Sequence, residues 1–126
     1  MSLSQSHIIK YKHNKEFISF GISNHDNEHF YDWIITVEFY ALIHLIEGVI
    51  QSIEPSSVIN NHNQRLSYMY KYPKVFDFHK VINKYNALSD MSRTARYKTD
   101  TTGLDQCKEA DILLEDIEQE LRSYIQ

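Results

Sequence analysis

The stretch FYDWIITVEFYALIHLIEGVIQS, Phe30 to Ser52, decides the fold. Apolar residues point in almost every direction around its helical wheel, and no proline interrupts it. That pattern predicts one long helix surrounded by partners on most sides. The apolar run from Ile34 to Ile50 is broken by Thr36, Glu38, His44 and Glu47, which reads as a buried core helix and not a membrane span. Glu54-Pro55-Ser56-Ser57 ends it, because a proline ring cannot continue the hydrogen-bond ladder.

Toward the N-terminus, a first helix is predicted from Ser4 or Ser6 to about Ser23. Ile8, Tyr11, Ile18 and Ile22 lie on one face with Phe17 and Phe20 nearby, while Lys10, Lys12 and Lys15 are expected to face water. Gly21 and then Asn24-His25-Asp26-Asn27 supply stop and restart signals. Toward the C-terminus, Asn60-Asn61-His62-Asn63 opens a short third helix carrying Arg65, Leu66 and Met69, closed by Pro73. A fourth runs from about Val75 to Met91, with Phe78, Ile82, Tyr85 and Leu88 on one stripe. Asp100-Thr101-Thr102-Gly103 is a loop, and Thr102 with Asp105 has the spacing of a capping box. The last helix carries Cys107, Ala110, Leu114, Ile117, Leu121 and Tyr124 as one seam. Short connections make neighbouring helices antiparallel, so residues 1–126 are expected to form a single all-α, up-and-down bundle of four or five helices.

Composition agrees. Gly and Pro together number only five in 126 residues, too few for the tight turns of an all-β chain. The single Cys107 excludes an intramolecular disulfide and a thiolate metal site, which suits a reducing compartment. Met-Ser-Leu-Ser-Gln-Ser-His lacks the charged and apolar regions of a signal peptide, so a cytoplasmic protein without a membrane partner is expected. Net charge is −4, and residues 104–126 hold seven acids against Lys108 and Arg122. A general polyanion binder would be basic overall, so any such contact must come from a local patch.

Chemistry-bearing residues gather on the long helix. Asp32, Thr36, Tyr40, His44 and Glu47, joined by Trp33, share about a third of its circumference, and Glu38 is the lone charge on the opposite side. A buried polar group costs about 1–3 kcal/mol unless bonded. The strip therefore belongs either to a satisfied network, with Glu47 or Asp32 paired to an arginine of another helix, or to a groove that takes a ligand. Arg93 and Arg96, three apart beside Tyr97, suit a phosphate and a stacked base, or else pair with Glu47 and the acidic last helix. His62 and Arg65 open the third helix, where the dipole holds an imidazole toward neutrality, fit for a base or for a plain cap. His25 and His29, with Asp26 and Glu28, have a ligand-like spacing, but no third ligand stands at a telling distance and helix capping explains them. No metal and no cofactor is expected. A serine-nucleophile elbow and a Gly-rich phosphate loop are both missing.

Three segments together resemble the HEPN-like helical proteins. Asp32-Trp33-x-x-Thr36-x-x-x-Tyr40-x-x-x-His44-Leu45-x-Glu47, with Phe39 before the tyrosine, is similar to the long second helix of that group. His62-x-x-Arg65 and Tyr85-x-x-Leu88-x-x-x-Ser92-Arg93-x-Ala95-Arg96-Tyr97 resemble later segments of an uncharacterised branch. The resemblance spans residues 8–124, with its diagnostic part at 32–97. It implies an up-and-down bundle, frequently dimeric, in bacterial and phage-conflict settings. Many members are metal-independent ribonucleases whose site is an arginine, four to six residues, then a histidine. Here the positions after Arg65 are Tyr70, Lys71 and Tyr72; after Arg93, Lys98, Thr99 and Asp100; after Arg96, Thr101, Thr102 and Gly103. None is histidine, so the nuclease motif is missing.

The leading expectation is a non-catalytic binding domain contacting RNA or a nucleotide phosphate. Arg93, Arg96, Tyr97 and Arg65 would make the contacts, and Tyr40, His44 and Glu47 would shape the groove. One alternative is a divergent metal-independent ribonuclease, with His44 or His62 as base and Arg65, Arg93 or Arg96 stabilising the phosphorane. The other is an oligomerisation subunit that pairs through its nine tyrosines with a second copy, as a homodimer, or with another protein.

Overall fold

In a computed structural model that describes residues 2–23, 31–97 and 103–125, the chain is all-helical, with no strand among the described residues. Among the described residues five α-helices follow one another: α1 (Leu3–Ser23), α2 (Tyr31–Ile53), α3 (His62–Lys71), α4 (Asn83–Tyr97) and α5 (Leu104–Leu121). Phe30, Asn24 to Asn27 and the loop at 98–102, with Thr102 as a cap, lie outside the described residues.

The caps place the boundaries. Ser2 Oγ accepts from the Gln5 N–H at 3.1 Å, and Gln5 Oε1 accepts from the Ser2 N–H at 2.9 Å. This reciprocal box starts α1 ahead of Ser4. Asn61 Oδ1 accepts from the Gln64 N–H at 2.8 Å and opens α3. Gly103 caps α5, its N–H donating to Gln106 Oε1 at 3.0 Å, so the back-bond runs to Gln106 and not to Asp105.

The expected helix from Val75 to Met91 is shifted. Asp77 caps a π-helical turn over Phe78–Ile82, which leads into α4 and carries the helix on to Tyr97. No Gly or Pro lies between Met91 and Tyr97, and buried Ser92 and Ala95 extend the seam to its end. The wider turn also changes the stripe: Val81, Ile82, Tyr85 and Leu88 are buried, whereas Phe78 is exposed. Tyr124 falls in a final 3₁₀ turn, Arg122–Tyr124, and leaves the α5 seam.

α2 is the centre. It touches α1, α3, α4 and α5, and α4 also packs on α5. Ile34, Ile35, Leu42, Leu45, Ile46, Val49 and Ile50 join Tyr11, Ile18, Met69, Phe76, Tyr85, Leu88, Leu114 and Ile117 in one buried cluster. By length and composition α2 could cross a membrane, yet 72% of its most apolar window is buried by its neighbours.

Two details depart from expectation. Lys15 does not face open water: its Nζ lies 3.8–3.9 Å from carboxylate oxygens of Asp111, Glu115 and Glu118 on α5. Glu38 is fully buried with no hydrogen-bond partner for either carboxylate oxygen among the described residues. Burial, reinforced by Asp111, pushes its carboxyl up to about 9.

Candidate functional site

The polar strip of α2 meets two different surroundings along its length. In the C-terminal half, His44 and Glu47, three residues apart, lie on one face. The start of α1 is drawn against them. Ser4 Oγ donates to the Gly48 carbonyl at 2.6 Å, and a Cβ at Gly48 would stand 2.8 Å from Ile8 Cδ1 and 3.4 Å from His7 Cβ. Glycine is what lets α1 come this close, and the approach delivers His7. Its Nδ1 lies 2.7 Å from His44 Nδ1, and its Nε2 lies 3.7 Å from Glu47 Oε2.

Arg65 closes the other side. From α3 its Nε and one terminal nitrogen donate to Glu47 Oε1 at 3.3 and 3.1 Å, and the other terminal nitrogen donates to the Tyr85 hydroxyl at 3.0 Å. That hydroxyl also bonds His62 Nδ1 at 2.8 Å, with the two rings stacked at 5.4 Å. The result is a chain of side chains running His44, His7, Glu47, Arg65, Tyr85, His62. It is the satisfied network that pairs Glu47 with an arginine of another helix.

Its electrostatics follow from position. Burial, then His7, with Lys10 and Arg65 adding, holds His44 below the ordinary imidazole range against the pull of Glu47. Burial, then Arg65 and Arg93, lowers His62, with Asp90 opposing. Burial raises the Tyr85 hydroxyl, and Arg65 offsets part of that. Both histidines are thus held toward their neutral form.

The N-terminal half of the strip opens instead. Asp32, Trp33, Thr36 and Tyr40 face Ala95, Arg96 and Tyr97 at the end of α4 across a groove of about 390 Å³. Trp33, Tyr40 and Tyr97 are 60%, 45% and 75% exposed, large apolar area left in water. The Arg96 guanidinium lies 5.3 Å from the Tyr97 ring centroid, and its Nε donates to the Ser92 carbonyl at 3.3 Å. No carboxylate among the described residues pairs with it. Thr36 is satisfied locally, its hydroxyl donating to the Asp32 carbonyl at 2.9 Å.

The residues singled out from sequence therefore divide. Tyr40, Arg96 and Tyr97 come together in the groove; His44, Glu47, His62 and Arg65 come together in the network. Arg93 belongs to neither. It is solvent-exposed, 3.9 Å from Asp90, and reaches His62 only electrostatically. His25, Asp26, Glu28 and His29 lie outside the described residues. His7 and Tyr85 complete the network and were not foreseen as site residues. The available signal was that His7 stands one turn before buried Tyr11 on the inward face of α1. Comparison with protein-family models, curated proteins and solved structures finds no match to this chain.

Proposed function

We propose that this protein is a non-catalytic HEPN-like binding domain. Its groove between α2 and the end of α4 receives a nucleotide phosphate and base of single-stranded RNA. The observation that carries the reading is Arg96 presented over Tyr97, opposite exposed Trp33 and Tyr40, with no carboxylate of the described residues in an ion pair with it, Asp32 of the groove wall included. A base finds π-faces on either wall, and a phosphate finds a guanidinium fork. The bundle expected from sequence is supported by the central place of α2 and by the start of α1 lying against the later half of α2.

The test uses Trp33, the only tryptophan, as reporter. Titration with a short single-stranded RNA should quench its fluorescence with micromolar affinity that weakens as salt rises. Each stacked base is worth about 1–3 kcal/mol, so Tyr97→Ala should weaken binding about tenfold, and Arg96→Ala should flatten the salt dependence. Unchanged fluorescence, or binding indifferent to both substitutions, would rule the groove out.

A second reading, the divergent ribonuclease, has one specific observation behind it: two histidines held toward neutrality beside Arg65. Cleavage there would require Arg65 to leave both Glu47 and Tyr85, which occupy its guanidinium. Activity in EDTA that His44→Ala or His62→Ala abolishes would establish it. Self-association draws support from exposed Ile9 and Phe17 on α1.

A further inference from the structure

We infer that His7, His44 and Glu47 form a site for one divalent first-row transition metal ion of the zinc class, bridging α1 and α2. The three offer one ligand atom each, and those atoms all lie within 4.8 Å of one another. Two imidazoles aim the same nitrogen, Nδ1, at each other across 2.7 Å. Donors around a tetrahedral ion at about 2.1 Å sit about 3.4 Å apart. The two imidazoles must therefore turn slightly apart and toward the Glu47 carboxylate.

The surroundings have the form of a supported ligand set. Arg65 holds Glu47 through Oε1, so Oε2 stays turned toward His7 at 3.7 Å. An outer group that fixes a ligating carboxylate in this way orients the inner ligand. Gly48 and the Ser4 hydrogen bond clamp α1 where His7 can reach. Two nitrogens and one oxygen favour Zn²⁺, Ni²⁺ or Cu²⁺ over Ca²⁺ and Mg²⁺, which take oxygen ligands. Three protein ligands leave a fourth position for water.

This site is separate from the groove, so the two stand or fall independently. The experiment is calorimetric titration of EDTA-dialysed protein with ZnCl₂ near neutral pH. One equivalent per chain with micromolar or tighter affinity is expected, with a rise in melting temperature that EDTA reverses. His7→Ala, which leaves the Glu47–Arg65 pair in place, should weaken binding at least tenfold with helical circular dichroism unchanged. His13→Ala, exposed on the same helix, should leave it intact. Co²⁺ added to the wild-type protein should give intense visible bands of a tetrahedral site. Absence of these bands, no stoichiometric zinc, or equal binding by wild type and His7→Ala would each overturn the site.

Discussion

At the scale of single residues, two acids of α2 differ in that only Glu47 has a hydrogen-bond partner among the described residues. Glu47 meets Arg65, and their side chains are 12% and 10% exposed. Removing one member of such a pair leaves an uncompensated charge, so Arg65→Met should lower unfolding stability by about 3 kcal/mol in urea denaturation. Glu38 has no hydrogen-bond partner among the described residues, and its carboxyl is raised from 4.5 to about 9. The folded state therefore binds the proton more tightly than the unfolded one. The stability this gives is complete below about pH 4.5 and is lost as pH rises toward 9. Relative to wild type, Glu38→Gln should become more stable by about 1.4 kcal/mol per pH unit across that window. The depressed His44 and His62 act with the opposite sign: their contribution is present above the ordinary imidazole value and fades as pH falls below it. Both proteins retain that component, so the difference between them isolates Glu38. A difference that stays flat with pH would mean that Glu38 is solvated.

At the scale of elements, α2 was legible because its composition is one-sided: a strip of five polar positions, joined by Trp33, on a rod apolar elsewhere but for Glu38 marks a central helix with one special edge. The α5 seam was legible for the same periodic reason. The shift of the fourth helix was not, because a π-helical turn inserts a residue that no spacing rule announces, and Asp77 looks like any loop acid. The closeness of α1 to α2 at Gly48 was hidden, since it depends on that glycine leaving room for Ile8 and His7, a fact of three dimensions. Gly48→Leu should push α1 away, lower stability by about 2 kcal/mol despite the better helix former, and separate His7 from His44. Loss of the His7–His44 coupling in imidazole nitrogen chemical shifts would report this; unaltered coupling and stability would contradict the close packing.

At the scale of the whole molecule, one central rod serves two purposes: its later half locks α1, α3 and α4 through a bonded network, and its earlier half faces water across a groove. The sequence alone could assemble the polar strip but could not divide it, because the divide depends on which helix lies opposite each turn. Arg65 and Arg96 both stood among the expected phosphate contacts, yet one is buried in bonds and the other is exposed. For the self-association proposed through exposed Ile9 and Phe17 on α1, light scattering at high concentration should give twice the chain mass, falling to the mass of one chain on Phe17→Glu. A monomer mass throughout would remove that contact. The groove itself is tested most directly by ultraviolet cross-linking to single-stranded RNA followed by peptide mass mapping. Adducts should fall on Trp33, Tyr40 or Tyr97 and disappear in Arg96→Ala. Adducts confined to other aromatic residues, or none at all, would contradict the account.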